Sequence, residues 1–258
     1  MTYHLFESIN ELHEKKIGDL TIKLNNEIFK YVKFVSIKNK WKEIDGFWDC
    51  CDNNCINTNN PSGNGFGNII NDENIKYILC LEGKGYDSDV FVYAENSFTK
   101  PENCLNYSLY YFEIKCKFEV KKIRRRATKR PIYDYKRMII GLKNCTHDFI
   151  EFSADSAKIF NEDNDSSKLS SFIWNNNDIF GCGLIYPPTN MSNKFSYVFF
   201  TQNGKQIGKG IILKENNDSY NPFVRLKNCS VEANFGNDLA SKPFNYDISN
   251  HTILKEFY

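Results

Sequence analysis

The sequence has few methionines and histidines and almost no net charge, with 3 Met, 4 His and a formal charge of +1. Near-neutrality excludes a global field that would draw the protein to nucleic acid or to a membrane surface. The histidines are scattered through the N-terminal region, one loop and the C-terminal tail, so that no nucleophile, base and orienting group come together, and we expect no catalytic residues. No segment approaches the ~20 apolar residues of a membrane span.

An even, regularly spaced cysteine framework is also missing. The nine cysteines are odd in number, and only Cys50, Cys51 and Cys55 are clustered. This usage favours reduced thiols rather than the disulfides of a small secreted domain. The first residues contain three glutamates and no apolar stretch of signal-peptide length. We therefore expect a cytoplasmic protein.

Metal and nucleotide sites have little support in the sequence. Cys50, Cys51 and Cys55 could supply three zinc ligands, but a structural site needs four, and neither a second cysteine pair nor a histidine pair stands at finger spacing. We expect turn cysteines there. The glycine-rich stretch 57–67 lacks the Lys-Ser/Thr of a phosphate-binding loop. We predict neither a metal site nor a cofactor.

Aromatic residues, by contrast, are abundant, with 21 Phe and 15 Tyr. Such side chains favour β-strands. The clearest local signal is Asn203-Gly204, which predicts a two-residue type I′ turn between the apolar runs 197–200 and 207–213. The predicted register pairs Gln202 with Lys205, Thr201 with Gln206 and Phe200 with Ile207. A two-stranded ribbon is marginal alone, so Phe200 and Ile207 should pack against a second sheet.

The first 40 residues have a helical period of apolar side chains, which predicts an N-terminal helical arm. Two alternatives follow: a short coiled coil through which residues 1–40 self-associate, or an arm lying on the folded domain. Residues 32–37 alternate well enough to form a strand instead.

A strict apolar alternation begins at Tyr111. It predicts that Glu113, Lys115 and Lys117 face solvent while the residues between them face inward. The glycines at 181 and 183 suggest that another backbone approaches closely there.

The basic run Lys121–Arg130 is the strongest charge cluster. We interpret it as a solvated hairpin loop joining strand 113–120 to an antiparallel strand 137–142. The alternative is a nuclear-localisation signal or a nucleic-acid contact, since clustered lysine and arginine release phosphate counterions on binding. No aromatic residues interleave the basic ones as stacking platforms would require, so nucleic acid is the less favoured partner.

Six motifs between residues 75 and 248 together resemble the SPRY domain family. They are YYFEIKC at 110–116, IIGLKN at 139–144, DIFGCGL at 178–184, VFFTQNGKQIG at 198–208, PFVRLKNCSVEANFG at 222–236 and PFNYDI at 243–248. The resemblance extends to SPRY-only proteins and to the SPRY modules of Ran-binding-protein-like scaffolds. It implies an all-β protein, a bent antiparallel sandwich of the concanavalin-like jelly-roll type, without catalytic residues.

The resemblance also implies a domain division. Residues 1–40 would be the arm, 41–74 a variable extension packed on the core, 75–250 the SPRY domain and 251–258 a C-terminal tail. SPRY domains bind proteins or short peptides through loops at one end of the sandwich. The function implied is that of an adaptor or effector that binds a protein or peptide partner.

Carried over to this chain, the family's binding loops are 93–107, 143–150 and 172–178, with 152–158 alongside. Relatives often have a Tyr-rich segment at the last of these, which here reads FSADSAKIF, so the family's peptide motif does not transfer. The candidate partner-binding residues are Asn96, Phe98, Tyr107, Phe149, Trp174 and Asn176.

A different class of function, a sandwich lectin, is the main alternative. A sugar site needs an exposed aromatic platform flanked by polar side chains, and Trp174 with Asn175–Asn177 is the candidate. Half-buried packing of Trp174 at the sheet edge is the competing interpretation.

Overall fold

The structure is a computed structural model that describes residue 16 and residues 32–45, 66–79, 87–120, 135–191, 194–213 and 217–253. Three sequence predictions lie outside these residues: the helical arm before residue 32, of which residue 16 alone is described, with its self-association; the metal ligation of Cys50, Cys51 and Cys55; and the conformation of Lys121–Arg130. Within the predicted arm, Val32–Phe34 form a strand, as the alternation of residues 32–37 indicates. Among the described residues, the structure contains no helix long and apolar enough to cross a membrane.

Within the described part of the chain, sixteen strands form two sheets of eight. Sheet A contains β1 (Val32–Phe34), β3 (Gly67–Ile69), β4 (Asn74–Tyr77), β7 (Tyr107–Phe118), β12 (Ile179–Tyr186), β13 (Tyr197–Gln202), β14 (Lys205–Ile212) and β16 (Cys229–Asn234). Sheet B contains β2 (Trp41–Asp45), β5 (Val90–Ala94), β6 (Phe98–Thr99), β8 (Arg137–Asn144), β9 (Phe149–Ser153), β10 (Lys158–Phe160), β11 (Ser166–Lys168) and β15 (Ser219–Lys227). A 3₁₀ turn follows at Ile248–Asn250.

Sheet A runs in the order β14-β13-β12-β7-β16-β4-β3, and sheet B in the order β11-β10-β9-β8-β15-β5-β2. All strand pairs along these two paths are antiparallel. The short β1 adds in parallel to β7, and β6 adds to β15. The predicted all-β antiparallel sandwich is therefore confirmed. The division at residues 40, 74 and 250 stays a prediction.

The core lies between the two sheets and is rich in aromatic rings. Phe112, Phe152 and Phe200 have no exposed surface. The rings of Phe152 from sheet B and Phe200 from sheet A lie 6.0 Å apart. The second sheet that the 197–213 hairpin requires is thus sheet B.

The hairpin itself forms as predicted. Phe200 pairs with Ile207, Thr201 with Gln206, and Gln202 with Lys205. Asn203 and Gly204 have φ values of 49° and 78°, the two positive values that a type I′ turn needs. This local signal suffices because turn geometry fixes the register.

Replacing Gly204 with alanine should lower the free energy of unfolding by about 2 kcal/mol, because an L-residue in the left-handed region costs about 1–2 kcal/mol and overpacking adds to it. A Cβ at this position would lie 2.6 Å from the Asn245 carbonyl oxygen. Urea unfolding followed by tryptophan fluorescence measures the change. The neighbouring exposed Lys205→Ala is the control, with an expected change within about 0.5 kcal/mol. An equally small change in Gly204→Ala would contradict the strained turn.

The predicted antiparallel pair across the basic run is wrong. The strand at 113–118 belongs to sheet A, where β7 pairs with β12 and β16. The strand at 137–144 belongs to sheet B, where β8 pairs with β9 and β15. Residues 119–136 therefore connect the two sheets rather than two neighbours in one sheet. Strand order depends on long-range partners, which alternation along one strand does not encode.

The close approach at the β12 glycines is made by side chains and not, as expected, by a backbone. A Cβ at Gly181 would overlap the Tyr111 hydroxyl, and one at Gly183 would overlap the Phe199 ring. Both large side chains come from neighbouring strands of sheet A, so the glycines make room for aromatic packing on its outer face.

The prediction that Glu113 faces solvent is also wrong. Lys115 and Lys117 are exposed as expected, but Glu113 is 4% exposed. Residues 243–253, here called the C-terminal strap, cover this half of the outer face of sheet A. Under the strap lies a second apolar cluster, separate from the core, to which the strap contributes Ile253. The members from sheet A are Tyr107, Leu109, Tyr111, Ile185, Tyr197 and Phe199. Glu113 is buried because another part of the chain supplies the cover.

Candidate functional site

The long strand β7 defines two ends of the sandwich. Ser108 pairs with Tyr186 at one end, here called the rim end, and Lys115 pairs with Ile179 at the other, the far end. Seven residues of strand at about 3.3 Å each separate these pairs by roughly 23 Å. In sheet B the rim end lies where Asn144 pairs with Tyr220, and the Tyr186 hydroxyl donates to the Phe98 carbonyl there.

The four loops expected to share one end are divided between both. Loops 93–107 and 143–150 lie at the rim end. Loop 172–178 lies at the far end, where the Asn177 N–H donates to the Cys116 carbonyl. Loop 152–158 lies there too, since Ala154 bonds to Met138 near the start of β8. A binding face made of all four loops at one end is therefore excluded.

Two candidate residues at the rim end point away from solvent. Phe98 and Tyr107 are 4% and 1% exposed, on β6 and β7. Phe98 stacks on Tyr110 in the core, and Tyr107 lies in the cluster under the strap. Their expected presentation on loops is wrong, because both begin strands whose alternation turns the ring inward.

Asn96 is exposed, but its side chain already has a structural partner. Its Nδ2 donates to the Lys38 carbonyl at 2.8 Å. The Asn39 side chain holds the Asn96 backbone from both sides, accepting from its N–H at 3.0 Å and donating to its carbonyl at 2.8 Å. Asn96 therefore ties loop 95–97 to the segment before β2.

Trp174 and Asn176 lie together at the far end. The Trp174 ring is half-buried, packs edge-to-face on Phe118 at 5.0 Å, and its buried Nε1 has no hydrogen-bond partner among the described residues. It does not form the exposed platform that a sugar site needs. The Asn176 Oδ1 accepts from the Phe118 N–H at 2.7 Å. Both side chains secure the end of β7.

The structure instead forms a pocket of about 340 Å³ on the outer face of sheet B at the rim end, here called the rim pocket. Its lining residues are Glu43, Asp45, Tyr93, Ser97, Lys143, Asn144, Cys145, His147, Ser219 and Asn221. They come from β2, β5, β8 and β15 and from the loops that follow β5 and β8. Two of the expected binding loops therefore meet here.

Tyr93, which lines the rim pocket, belongs to a small cluster on the outer face of sheet B. Tyr93, Ile139 and Phe223 form a buried cluster outside the sandwich core, with Phe91 and Phe149 packed against it. The Phe149 and Phe223 ring centroids are 5.0 Å apart. The Lys143 Nζ lies 4.7 Å from the Tyr93 centroid and 5.8 Å from that of Phe149, which is cation–π geometry. We call the four rings, together with Ile139, the outer aromatic cluster; its members are Phe91, Tyr93, Ile139, Phe149 and Phe223. Of the candidate residues, Phe149 alone belongs to it.

One wall of the rim pocket is a loop fixed by its own hydrogen bonds. The Asn144 Oδ1 accepts from the Asp148 N–H at 2.8 Å. The Thr146 hydroxyl lies within hydrogen-bonding distance of two acceptors, 2.8 Å from the Asn144 Oδ1 and 2.7 Å from the Asp148 carboxylate. Bonds from Thr146 and Asn144 lower the pKa of Asp148. His147 is exposed at φ 74°. The loop presents Cys145 and His147 in a set conformation.

The opposite wall is acidic. Glu43 pairs with Tyr93 across the strands, and Asp45 pairs with Phe91. Burial, and then Asp45 and Glu43, raise the pKa of Tyr93 to about 12. Both carboxylates are exposed, and neither forms an ion pair with another described residue. The Asn221 Oδ1, on the strand opposite Lys143, is buried and has no hydrogen-bond partner in the described part of the chain.

Among the described residues, no group of three or more His, Cys, Asp and Glu side chains could hold a metal ion.

Comparisons with known proteins concern the fold. Neither a protein-family model nor a curated protein matches the chain. A solved human SPRY domain is similar over 66% of this chain and 96% of that domain, with a TM-score of 0.46 and 19% identity. Winged bean acidic lectin, solved with methyl-alpha-D-galactose, is similar over 80% of this chain and 94% of the lectin, with a TM-score of 0.38 and 10% identity.

An alginate lyase from Corynebacterium is similar over 62% of this chain and 64% of the lyase, with a TM-score of 0.30 and 10% identity. At these identities no ligand or activity is carried over. The antiparallel two-sheet sandwich described above is the architecture that the six sequence motifs predicted.

Proposed function

We propose that the protein is a non-catalytic binding module, an adaptor or effector of the cytoplasm, that takes a protein or an extended peptide into the rim pocket. The outer aromatic cluster carries this proposal. Sandwich cores bury aromatic rings between the sheets, whereas these rings lie outside, beside a pocket and two loops. Buried aromatic side chains at the centre of a polar rim are the usual energetic centre of a protein interface.

The loops around the pocket support the same function. Loop 144–149 is held by the Asn144 and Asp148 side chains, and loop 95–97 is held by Asn39. Ordering flexible loops on binding costs free energy, and a fixed conformation avoids that cost. A rigid frame that positions loops is the common arrangement for recognition sites.

Two steps test this proposal. The whole chain, with a photo-crosslinking amino acid in place of His147, identifies the partner by mass spectrometry, and the purified partner is then titrated by calorimetry. The double variant Lys143→Ala/His147→Ala should raise the Kd about 30-fold, since hot-spot residues contribute about 2 kcal/mol. Lys143 lies over the Tyr93 ring and His147 on the fixed wall, so the double variant removes one contact from each part of the pocket.

The control is Asn176→Ala at the far end, for which the Kd should stay within about twofold. A large effect of Asn176→Ala together with no effect of the double variant would place the binding surface at the far end and overturn the proposal.

A further inference from the structure

Two acidic side chains of the rim pocket have no ion-pair partner among the described residues. They are the carboxylates of Glu43 and Asp45, exposed on the edge strand β2. A ligand that brings a cationic N–H donor would therefore be favoured at this site over one that brings only acceptors.

The positive charge in the pocket is already engaged. Lys143 lies over the faces of Tyr93 and Phe149. His147 is the other basic side chain among the lining residues and is exposed. The two carboxylates of Glu43 and Asp45 outnumber the single Lys143 ammonium group, so the acidic wall can attract a cation. A volume of about 340 Å³ is ample for a lysine or arginine side chain.

We infer that the rim pocket takes a lysine or arginine side chain of an extended partner segment. This inference rests on the proposed function and specifies the partner's chemistry. The ammonium or guanidinium group lies beside the carboxylates of Glu43 and Asp45, while the stem of the side chain lies on the Tyr93 ring, which lines the pocket. An acidic side chain is disfavoured by the same two carboxylates, and a neutral one gains no charge-assisted hydrogen bond.

The probes are four acetylated, amidated pentapeptides that carry Arg, Lys, Gln or Glu between flanking glycines. Amide chemical shifts of the whole chain are followed by NMR as each peptide is added at low and at high salt. The Arg and Lys peptides should shift the amides of Ser97, Cys145 and Ser219 in a saturable way that high salt weakens. The Gln and Glu peptides should leave these amides unchanged.

The double variant Glu43→Gln/Asp45→Asn should weaken binding of the Arg peptide at least about tenfold. Glu73→Gln/Glu232→Gln is the matched control, because it removes the same charge from the outer face of sheet A, where both residues pair with Lys242. The control should bind the Arg peptide as the unaltered chain does. Equal binding of all four peptides, or equal loss in both double variants, would overturn the inference.

A separate readout distinguishes this inference from the proposed function. If the purified partner loses affinity in Lys143→Ala/His147→Ala while the Arg and Lys peptides do not bind, the cation inference fails and the proposed function stands. If the partner binds Lys143→Ala/His147→Ala with unchanged Kd, both the proposed function and the cation inference fail. Salt-sensitive self-association in sedimentation experiments, lost in Glu43→Gln/Asp45→Asn, would assign the pocket to a second copy of this chain and overturn the inference.

Discussion

Replacing Glu113 with alanine should lower the free energy of unfolding by about 3 kcal/mol. The carboxylate accepts from the N–H groups of Asn245 and Tyr246, each at 2.9 Å, and from the Tyr111 hydroxyl at 2.9 Å. These two backbone donors belong to the C-terminal strap. Without Glu113 they lose their acceptor and the strap loses its polar contact with β7. Burial raises the pKa of Glu113, so the cost of burying the carboxylate offsets part of the gain.

The matched control for Glu113→Ala is Lys115→Ala, on the same strand and the same face but exposed. Its expected change is within about 0.5 kcal/mol. Urea unfolding gives both values, and hydrogen exchange of residues 243–253 reports whether the strap is released. Equal stability of the two variants would mean that the apolar contacts under the strap hold it without Glu113.

The second large effect is a loss of stability in acid through His251. Its ring belongs to the strap and packs on Phe199 of sheet A, with Nε2 3.0 Å from the Tyr197 hydroxyl and Nδ1 2.7 Å from that of Tyr246. Burial lowers the pKa of His251 from 6.5 to about 4. Between these pH values the unfolded chain binds the proton and the folded chain does not. Stability therefore falls as the pH falls through this window, by up to about 3 kcal/mol.

To isolate this effect, the free energy of unfolding of the unaltered chain is compared with that of His251→Gln. Urea unfolding gives both values at several pH values between about 4 and 7.5. The variant should be less stable at neutral pH, because glutamine does not bridge the two tyrosines, and its stability should fall less steeply in acid. Glu113 has the opposite sign, since its raised pKa adds stability as the pH falls, but it is present in both proteins. Parallel curves would contradict the buried, neutral imidazole.

The features that the sequence predicts correctly are local. The Asn203-Gly204 turn determines its register within six residues, and the alternation from Ile114 to Lys117 determines which side chains face the core. Both depend on backbone geometry that neighbouring residues set. The sandwich follows from many short aromatic strands, which have to bury one face against another sheet.

The features that the sequence does not predict depend on contacts between distant segments of the chain. Glu113 alternates as a solvent-facing residue would, and 130 residues later the strap covers it. The glycines of β12 indicate a close approach without saying that Tyr111 and Phe199 make it. The six motifs imply binding loops, but they do not show that the sandwich places loop 172–178 at the far end.

The rim pocket was hidden from sequence reasoning for the same reason. Glu43, Tyr93, Lys143 and Asn221 lie on four strands that are adjacent only in sheet B. One signal existed, the outward-facing positions of IIGLKN and PFVRLKN, where Ile139 and Phe223 are apolar although the opposite face already fills the core. Apolar residues on both faces of a strand indicate a second buried surface.

The most direct test of the binding surface is hydrogen exchange of the chain with and without its purified partner, read by mass spectrometry. The partner should slow hydrogen exchange in residues 95–99 and 144–149 around the rim pocket and leave the exchange rates of residues 172–178 unchanged. Protection confined to residues 172–178, with no change around the rim pocket, would contradict it.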